Sequence, residues 1–218
     1  MRTTFLLFIS CLLVFACSDD DGEIAPAYIT TLAEIQTDGN GRPETLIPDA
    51  AGVRTITSSH KVLTPDSIYR VQVRALYDGE ERAHLYQIAN VVSPMPRAFS
   101  EDKRKYHPVE LLSLWSSGRY INMRLALHTA TEPHAFAFVE EGIDLLTDGT
   151  RRLRLHLYHD QGNNPEYYTR ETYISCPIYH YGESSTPQEK LLTAGRDSIV
   201  FTVTTYKGEQ TLRLLYQP

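Results

Sequence analysis

The sequence of 218 residues predicts an all-β protein made of a small barrel followed by an antiparallel β-sandwich. Apolar and polar residues alternate with period two along most of the chain, which is the pattern of strands that bury one face. Apolar residues at helical spacing are almost absent. Turn-forming runs, such as the one at residues 38–41, separate the alternating segments. These patterns together favour an all-β chain over a helical one.

The first 16 residues predict a secretory signal. Arg2 is the only charged residue before position 19, and an apolar run extends from Phe5 to Ala16. The run is shorter than the roughly 20 residues of a membrane-spanning helix and fits the apolar core of a signal peptide. Its end, Val14-Phe15-Ala16-Cys17, resembles the lipobox of bacterial lipoproteins, which makes Cys17 the lipid-modified residue and Cys11 a weaker candidate. An ordinary cleaved signal and an uncleaved anchor are the alternatives.

An acidic tether is predicted over residues 17–26. Its carboxylates repel one another and remain solvated. The run resembles the acidic export tag that follows the lipidated cysteine in surface lipoproteins of the Bacteroidetes. With Cys17 acylated, the tether predicts a protein anchored in the outer membrane and exposed at the cell surface. A flexible spacer facing the periplasm is the alternative. The residues of the tag are Ser18, Asp19, Asp20 and Asp21.

Cysteine content and charge exclude further classes of protein. Cleavage discards Cys11 and acylation uses Cys17, so Cys176 remains and cannot form an internal disulfide. Its strand-like surroundings predict a buried, inert thiol. The formal net charge of −6 argues against a protein built to bind nucleic acid phosphates, so no nucleic acid partner is expected.

The barrel is predicted over residues 27–93, because four or five strands in about 65 residues suit a small closed sheet. A linker is predicted over residues 94–107, where Pro94 and Pro96 precede a run of mixed charge that should be solvated. The predicted strands of the barrel are Tyr28–Gln36, Glu44–Ile47, Ser67–Tyr77 and Ala83–Val92, and the last two form a hairpin.

The sandwich is predicted over residues 108–218. About seven short strands with one-sided alternation are typical of an antiparallel sandwich. Thr186 as N-cap and Pro187 at the first position allow one short helix, Gln188–Ala194. The predicted strands are Val109–Trp115, Arg119–Leu127, Ala135–Val139, Arg152–Tyr158, Tyr167–Cys176, Ser198–Tyr206 and Thr211–Tyr216.

Several segments of the second half carry a family pattern. They are Val109–Trp115, Gly118–Leu125, Leu155–Asn163, Tyr168–Arg170, Asp197–Ile199 and Thr205–Gly208. These segments resemble the C-terminal domain of NigD-like lipoproteins of the Bacteroidetes, and the acidic start and small β domain agree with that family. The resemblance implies an OB-like barrel followed by an immunoglobulin-like sandwich. It supplies no active-site residues, and the family's association with a bacteriocin gene cluster makes an immunity-like role one version of its function.

Motifs for catalysis and metal binding are scarce. The sequence contains no HExxH, Cys-x-x-Cys, GxSxG or P-loop pattern, so no catalytic residue, cofactor or metal ligand is predicted. His156, His159 and Asp160 could converge on zinc only if the chain turned at Tyr158, since residues three apart on a strand face opposite sides. Residues 160–164 could offer oxygens to calcium, but a hairpin turn is the preferred interpretation.

The predicted interaction surface consists of polar and aromatic side chains on strand faces that lack leucines. If their strands are neighbours, they form one patch suited to contact with a protein or a glycan; a solvated sheet face is the alternative. The sequence therefore predicts a non-enzymatic, lipid-anchored envelope protein that acts as a binding or interaction module. An accessory glycan-binding surface lipoprotein is the alternative, and a hydrolase is a third class. The surface residues are Tyr120, Arg124, Arg154, His156 and Tyr158.

Overall fold

The computed structural model describes residues 28–59, 61–130 and 132–218. In these ranges the chain forms twelve β-strands and two short 3₁₀ turns. No helix in this part of the chain is long and apolar enough to span a membrane. The predictions that fall outside the described residues are the signal peptide, the lipidation of Cys17 and the export tag at Ser18, Asp19, Asp20 and Asp21.

The first five strands close into a barrel in the order β1-β2-β3-β5-β4. β3 runs parallel to β5, whereas β1 pairs with β4 in antiparallel fashion. Buried apolar side chains such as Ile35, Leu46 and Val73 fill the interior. The sequence did not predict β3, because Ile56 is its only apolar residue. The strands are β1 Ile29–Thr37, β2 Pro43–Pro48, β3 Arg54–Ser58, β4 Ile68–Asp78 and β5 Arg82–Asn90.

The next seven strands form two sheets, in the orders β10-β7-β6 and β12-β11-β9-β8, around one shared core. The predicted all-β class is therefore confirmed. Pairing is antiparallel except between β9 and β11, which run parallel. The strands are β6 Glu110–Ser116, β7 Tyr120–Thr129, β8 Ala135–Leu145, β9 Arg151–Asp160, β10 Tyr168–Pro177, β11 Ser198–Thr205 and β12 Gly208–Leu215.

The core of the sandwich is built from alternate residues of its strands. Leu125 of β7 and Leu155 of β9 are fully buried, and each such side chain stabilises the fold by roughly 1.5–3 kcal/mol. The rings of Phe138 and Phe201 meet with centroids 5.9 Å apart. Cys176 is also fully buried, and burial raises the pKa of its thiol well above the ordinary value. The thiol therefore remains protonated and unreactive.

The segment 188–194 forms turns, so the predicted helix is wrong. The guanidinium of Arg151 donates to the carbonyl oxygens of Gln188 (2.8 Å) and Leu191 (2.5 Å). The backbone N–H of Leu192, which a helix would direct to the carbonyl of Gln188, donates instead to the carbonyl of Tyr181 (2.8 Å). A tertiary contact has here overridden a weak local preference.

Residues 160–164 also differ from the predicted hairpin turn, because β9 and β10 belong to different sheets. The segment instead crosses from one sheet to the other. Asn164, which is buried, anchors the crossing. Its side chain accepts a hydrogen bond from the backbone of Ala130 (2.8 Å) and donates one to the hydroxyl of Thr129 (3.0 Å).

The predicted solvated linker is packed against the sheet that contains β8 and β9. The backbone of Arg97 donates to Phe138 (3.0 Å) and accepts from Glu140 (2.9 Å) on the free edge of β8. Farther along, the carbonyl of Lys105 accepts from the backbone N–H of His159 (2.9 Å) in β9. We call residues 97–107 the strap.

Aromatic side chains of the strap cover the outer face of β9. The ring of Phe99 stacks on Tyr158 with centroids 5.3 Å apart, and the ring of Tyr106 stacks on His156 at 3.9 Å. Rings removed from water in this way stabilise their contact by about 0.5–1.5 kcal/mol beyond the area they bury. The charged residues Glu101, Asp102 and Lys103 are exposed, as expected, but the two rings fasten the segment to the sheet, which the sequence did not indicate.

Candidate functional site

The outer face of the β10-β7-β6 sheet presents two rows of cross-strand neighbours. In the first row Arg124 of β7 lies between Ser113 of β6 and Tyr173 of β10. In the second row Asn122 lies between Trp115 and Ser175. The barrel covers Asn122 and Ser175 of the second row, and it leaves Trp115 and the first row beside an open cleft.

Arg70 of β4 is the centre of the contact between the barrel and this sheet. Its guanidinium binds both carboxylate oxygens of Asp49, at 2.5 and 2.6 Å. It also donates to the hydroxyl of Ser175 (3.1 Å) and to the side-chain oxygen of Asn122 (2.9 Å). The amide of Asn122 donates in turn to Asp49 at 2.9 Å. Charge and hydrogen-bonding capacity are therefore satisfied across the domain boundary.

Tyr120 extends this network. Its hydroxyl donates to Glu34 of β1 at 2.7 Å, and the guanidinium of Arg119 donates to the same oxygen at 3.1 Å. The guanidinium of Arg70 lies 4.0 Å from the centre of the Tyr120 ring. Burial, reinforced by the adjacent Glu34 carboxylate, raises the pKa of Tyr120 far above its ordinary value. The hydroxyl therefore acts only as a hydrogen-bond donor to Glu34.

A cleft of about 440 Å³ opens beside the network, within the range typical of small-ligand sites. Its floor is the outer face of the sheet, and its wall is the side of the barrel. The floor carries Ser113, Trp115, Arg124 and Tyr173, and the wall carries Thr30, Thr31, Leu32, Asp49, Ala50 and Gln72.

The predicted interaction surface is not one patch, because β7 and β9 belong to different sheets. Tyr120 is buried at the domain boundary, while Arg124 lies in the cleft, paired with Glu171 at 2.5 Å. Alternation along a strand distinguishes inner from outer residues, but it does not say which strands share a sheet. The condition on which this prediction depended is therefore not met.

The other three predicted surface residues lie on β9, on the opposite side of the sandwich. Arg154 pairs with Asp144 at 3.1 Å. The Tyr158 ring lies under the strap, as does the ring of His156. A nitrogen of His156 also lies 3.1 Å from the hydroxyl of Thr204. Contacts within the chain thus occupy side chains that were expected to face a partner.

His159 lies on the face of β9 opposite to His156 and contacts other residues. Its Nε2 lies 2.7 Å from Nδ1 of His134, and its Nδ1 lies 2.8 Å from the carbonyl of His107. Burial lowers the pKa of His159 to about 4, so the ring is neutral at pH 7. In the described ranges no group of three or more His, Cys, Asp or Glu side chains is arranged to hold a metal ion, and the zinc alternative gains no support.

The sequence interpretation missed the residues that build the cleft. Trp115, Tyr173 and Gln72 fall in predicted strands, but none of them was predicted to line a site. One signal was available, since Glu34, Arg70 and Gln72 give β1 and β4 a polar face at alternate positions. That pattern shows which residues leave the barrel core, although it does not show that a second domain covers them.

Comparison with known proteins identifies the second domain. The family model of the NigD-like C-terminal beta sandwich domain matches residues 91–216, which is more than half of the chain. No curated protein matches the chain.

Solved structures share the fold over both domains. A NigD-like immunity protein from Bacteroides caccae is 24% identical and covers 86% of this chain and 92% of its own, with a TM-score of 0.67. A protein of unknown function from Bacteroides vulgatus is 16% identical, covers 88% and 92%, and has a TM-score of 0.64. A candidate lipoprotein from Bacteroides fragilis is 11% identical, covers 88% and 99%, and has a TM-score of 0.60. On the evidence of the family model, the chain belongs to the NigD-like family.

Proposed function

We propose that this NigD-like protein is a lipid-anchored component of the cell envelope that binds a ligand in the cleft between its two domains and performs no catalysis. The observation that carries the proposal is the cleft itself. Its floor and its wall are held in fixed relative positions by the buried contacts of Arg70. A site whose walls are already positioned binds without the cost of ordering them. An immunity-like role and glycan binding are both versions of this function.

The charged groups of the cleft suit binding better than catalysis. A carboxylate that acts as a general base needs an oxygen that can reach the substrate. Both oxygens of Asp49 already accept hydrogen bonds from Arg70, and one of them also accepts from Asn122. Arg124 is paired with Glu171. These side chains fix the shape of the site, which is the property that a binding module requires.

Anchoring is supported by the lipobox-like Val14–Cys17 and the acidic run that follows it. A matched pair of cysteine variants tests it. Cys17→Ala should move the protein from the membrane fraction to the soluble fraction and abolish labelling by radioactive palmitate. Cys11→Ala should leave both unchanged. Membrane association that survives Cys17→Ala, or that is lost in Cys11→Ala, contradicts the assignment.

Surface exposure is tested separately with the acidic run. Replacing Asp19, Asp20 and Asp21 together by Ala should keep the protein in the membrane fraction while protecting it from protease added to intact cells. The wild-type protein should be digested under the same conditions. Equal digestion of both proteins contradicts the role of the run as an export tag.

Trp115 provides a direct test of binding in the cleft, since it is the only tryptophan of the chain. Its fluorescence in the full-length protein in detergent should shift when a solubilised cell-envelope extract is added. Gln72→Arg places a long charged side chain in the cleft and should abolish the shift. Gln87→Arg adds the same charge at an exposed position of β5 and should leave the shift intact. An equal shift in both variants contradicts binding at this site.

A further inference from the structure

We propose that the cleft takes a neutral oligosaccharide of at least two sugar units. This inference rests on the proposed binding function and names its ligand class. Three features of the cleft support it: its aromatic residues, its hydrogen-bonding groups and the pairing of its charges.

Two aromatic side chains lie on the two strands that flank the centre of the floor. Trp115 belongs to β6 and Tyr173 to β10, and both line the cleft. Because β7 lies between these strands, their backbones are about 10 Å apart. A sugar ring presents a face of C–H groups that packs on an aromatic ring. A single sugar ring does not bridge the two positions, whereas two consecutive rings do.

The hydrogen-bonding groups of the cleft are side chains. The backbone of β7 is paired on both sides, through Arg124 with Ser113 and with Tyr173, and cannot accept an added peptide strand. Hydroxyl and amide groups face the floor instead, from Thr30 and Gln72 on the wall. Such groups both donate and accept, as the hydroxyls of a sugar do. The lining therefore favours a ligand rich in hydroxyls.

The charges of the cleft are neutralised before a ligand arrives. Asp49 is held by Arg70, and Arg124 by Glu171 at 2.5 Å. Because both pairs are already neutral, the cleft offers no unpaired countercharge to an anionic or a cationic ligand. A neutral ligand needs none, and the free donor groups of Arg124 can bind its hydroxyls while the ion pair stays intact.

The test uses the fluorescence of Trp115 in the full-length protein in detergent. The probes are neutral hexasaccharides of glucose, xylose and mannose, an oligogalacturonate of equal length, and a mixture of uncharged hexapeptides. At least one neutral hexasaccharide should shift the emission in a saturable way. Its dissociation constant should rise at least tenfold in Tyr173→Ala, and its disaccharide should bind more tightly than its monosaccharide. Tyr167→Ala, which alters an exposed tyrosine outside the cleft, should bind as the wild type does.

The outcomes separate this inference from the proposed function. A response to oligogalacturonate or peptides alone, abolished by Gln72→Arg, overturns the neutral-saccharide class and leaves the cleft as a binding site. A saccharide response that persists in both Tyr173→Ala and Gln72→Arg places binding elsewhere and overturns both. If no probe shifts Trp115 while the envelope extract does, the ligand class is wrong. If neither does, the binding function fails with it. If Tyr173→Ala does not fold, Thr30→Val, a change of similar volume that removes a cleft hydroxyl, should weaken saccharide binding, and unchanged binding would contradict the inference.

Discussion

The two sheets of the sandwich use their outer faces in different ways. The β10-β7-β6 sheet holds the barrel through charged hydrogen bonds centred on Arg70, and a cleft remains open beside them. On the other sheet, the strap covers β9 through stacked rings and backbone hydrogen bonds. Both faces are polar and aromatic in sequence. The difference shows that a polar and aromatic outer face is not necessarily an open surface, because the chain itself covers one of these faces and leaves part of the other open.

The largest effect is expected from breaking the charged contact at the barrel. Arg70→Ala leaves the carboxylate of Asp49 without its partner, and the two side chains are only 4% and 12% exposed. The free energy of unfolding should fall by about 3–5 kcal/mol, as is typical when one partner of a buried pair is removed. Urea denaturation measures this loss.

Two further variants serve as controls for Arg70→Ala. Arg70→Met combined with Asp49→Leu removes both charges, and it should recover much of the lost stability. Arg82→Ala breaks an ion pair whose side chains are 60% and 51% exposed, and its unfolding midpoint should not change measurably. A loss in Arg70→Ala as small as that in Arg82→Ala would show that the boundary is solvated.

The strap side should respond to acid. The pKa of His159 is lowered to about 4 in the folded protein, mainly by burial, against 6.5 when unfolded. Above pH 6.5 both states are neutral, so the full stability is present. As the pH falls from 6.5 to 4, the unfolded chain binds a proton that the folded chain excludes, which costs about 3 kcal/mol in total. Urea denaturation between pH 7 and pH 4 follows the loss.

His159→Gln isolates this contribution from those of other titrating groups. The pKa values of His134 and His180 are also lowered by burial and act in the same direction. The variant should therefore lose less stability than the wild type over the same pH range. Parallel curves for the two proteins would exclude His159 as the source.

A smaller effect is expected from removing a ring of the strap. Phe99→Ala deletes the stack on Tyr158 and should lower the free energy of unfolding by about 1–2 kcal/mol. Hydrogen exchange should accelerate at the amides of Glu140 and His159, which donate to strap carbonyl groups. Met95→Ala, an exposed position before the strap, is the control. Unchanged exchange at both amides in Phe99→Ala would show that the strap stays in place without the ring.

The smallest effect on stability is expected in the cleft. Arg124→Ala removes an ion pair with Glu171 in which both side chains are largely exposed, at 42% and 52%. Its urea midpoint should equal that of the wild type, because exposed pairs contribute little to stability. Its affinity for a cleft ligand should nevertheless fall. A lowered midpoint would assign Arg124 a structural role and remove the contrast between the cleft and the network of Arg70.

Most of the fold could be predicted from the sequence. Period-two alternation places Leu153, Leu155 and Leu157 on one face of β9, and the structure buries all three. The family resemblance carried by segments such as Val109–Trp115 is confirmed by the family model. β3 was not predicted, because it contains one apolar residue and shows no alternation of its own. Pairing with the neighbouring strands stabilises it.

The candidate site could be predicted only in part. Arg124 was expected on a binding surface and lies in the cleft, but Trp115, Tyr173 and Gln72 were not expected there. These residues come from distant parts of the chain and meet only because the barrel rests on the β10-β7-β6 sheet. No local pattern encodes that contact, since a polar residue that faces water and one that faces a second domain look the same in sequence.

The amino-acid sequence was enough to predict the class of fold, the inward and outward faces of most strands, the burial of Cys176 and the family. Each follows from local periodicity or from a pattern along the chain, which is where side-chain alternation acts. The tertiary structure decided that Tyr120 is buried, that the strap covers His156 and Tyr158, and that a cleft lies beside Arg124. These outcomes depend on which surfaces meet, and that choice is made by packing and charge satisfaction across segments far apart in sequence.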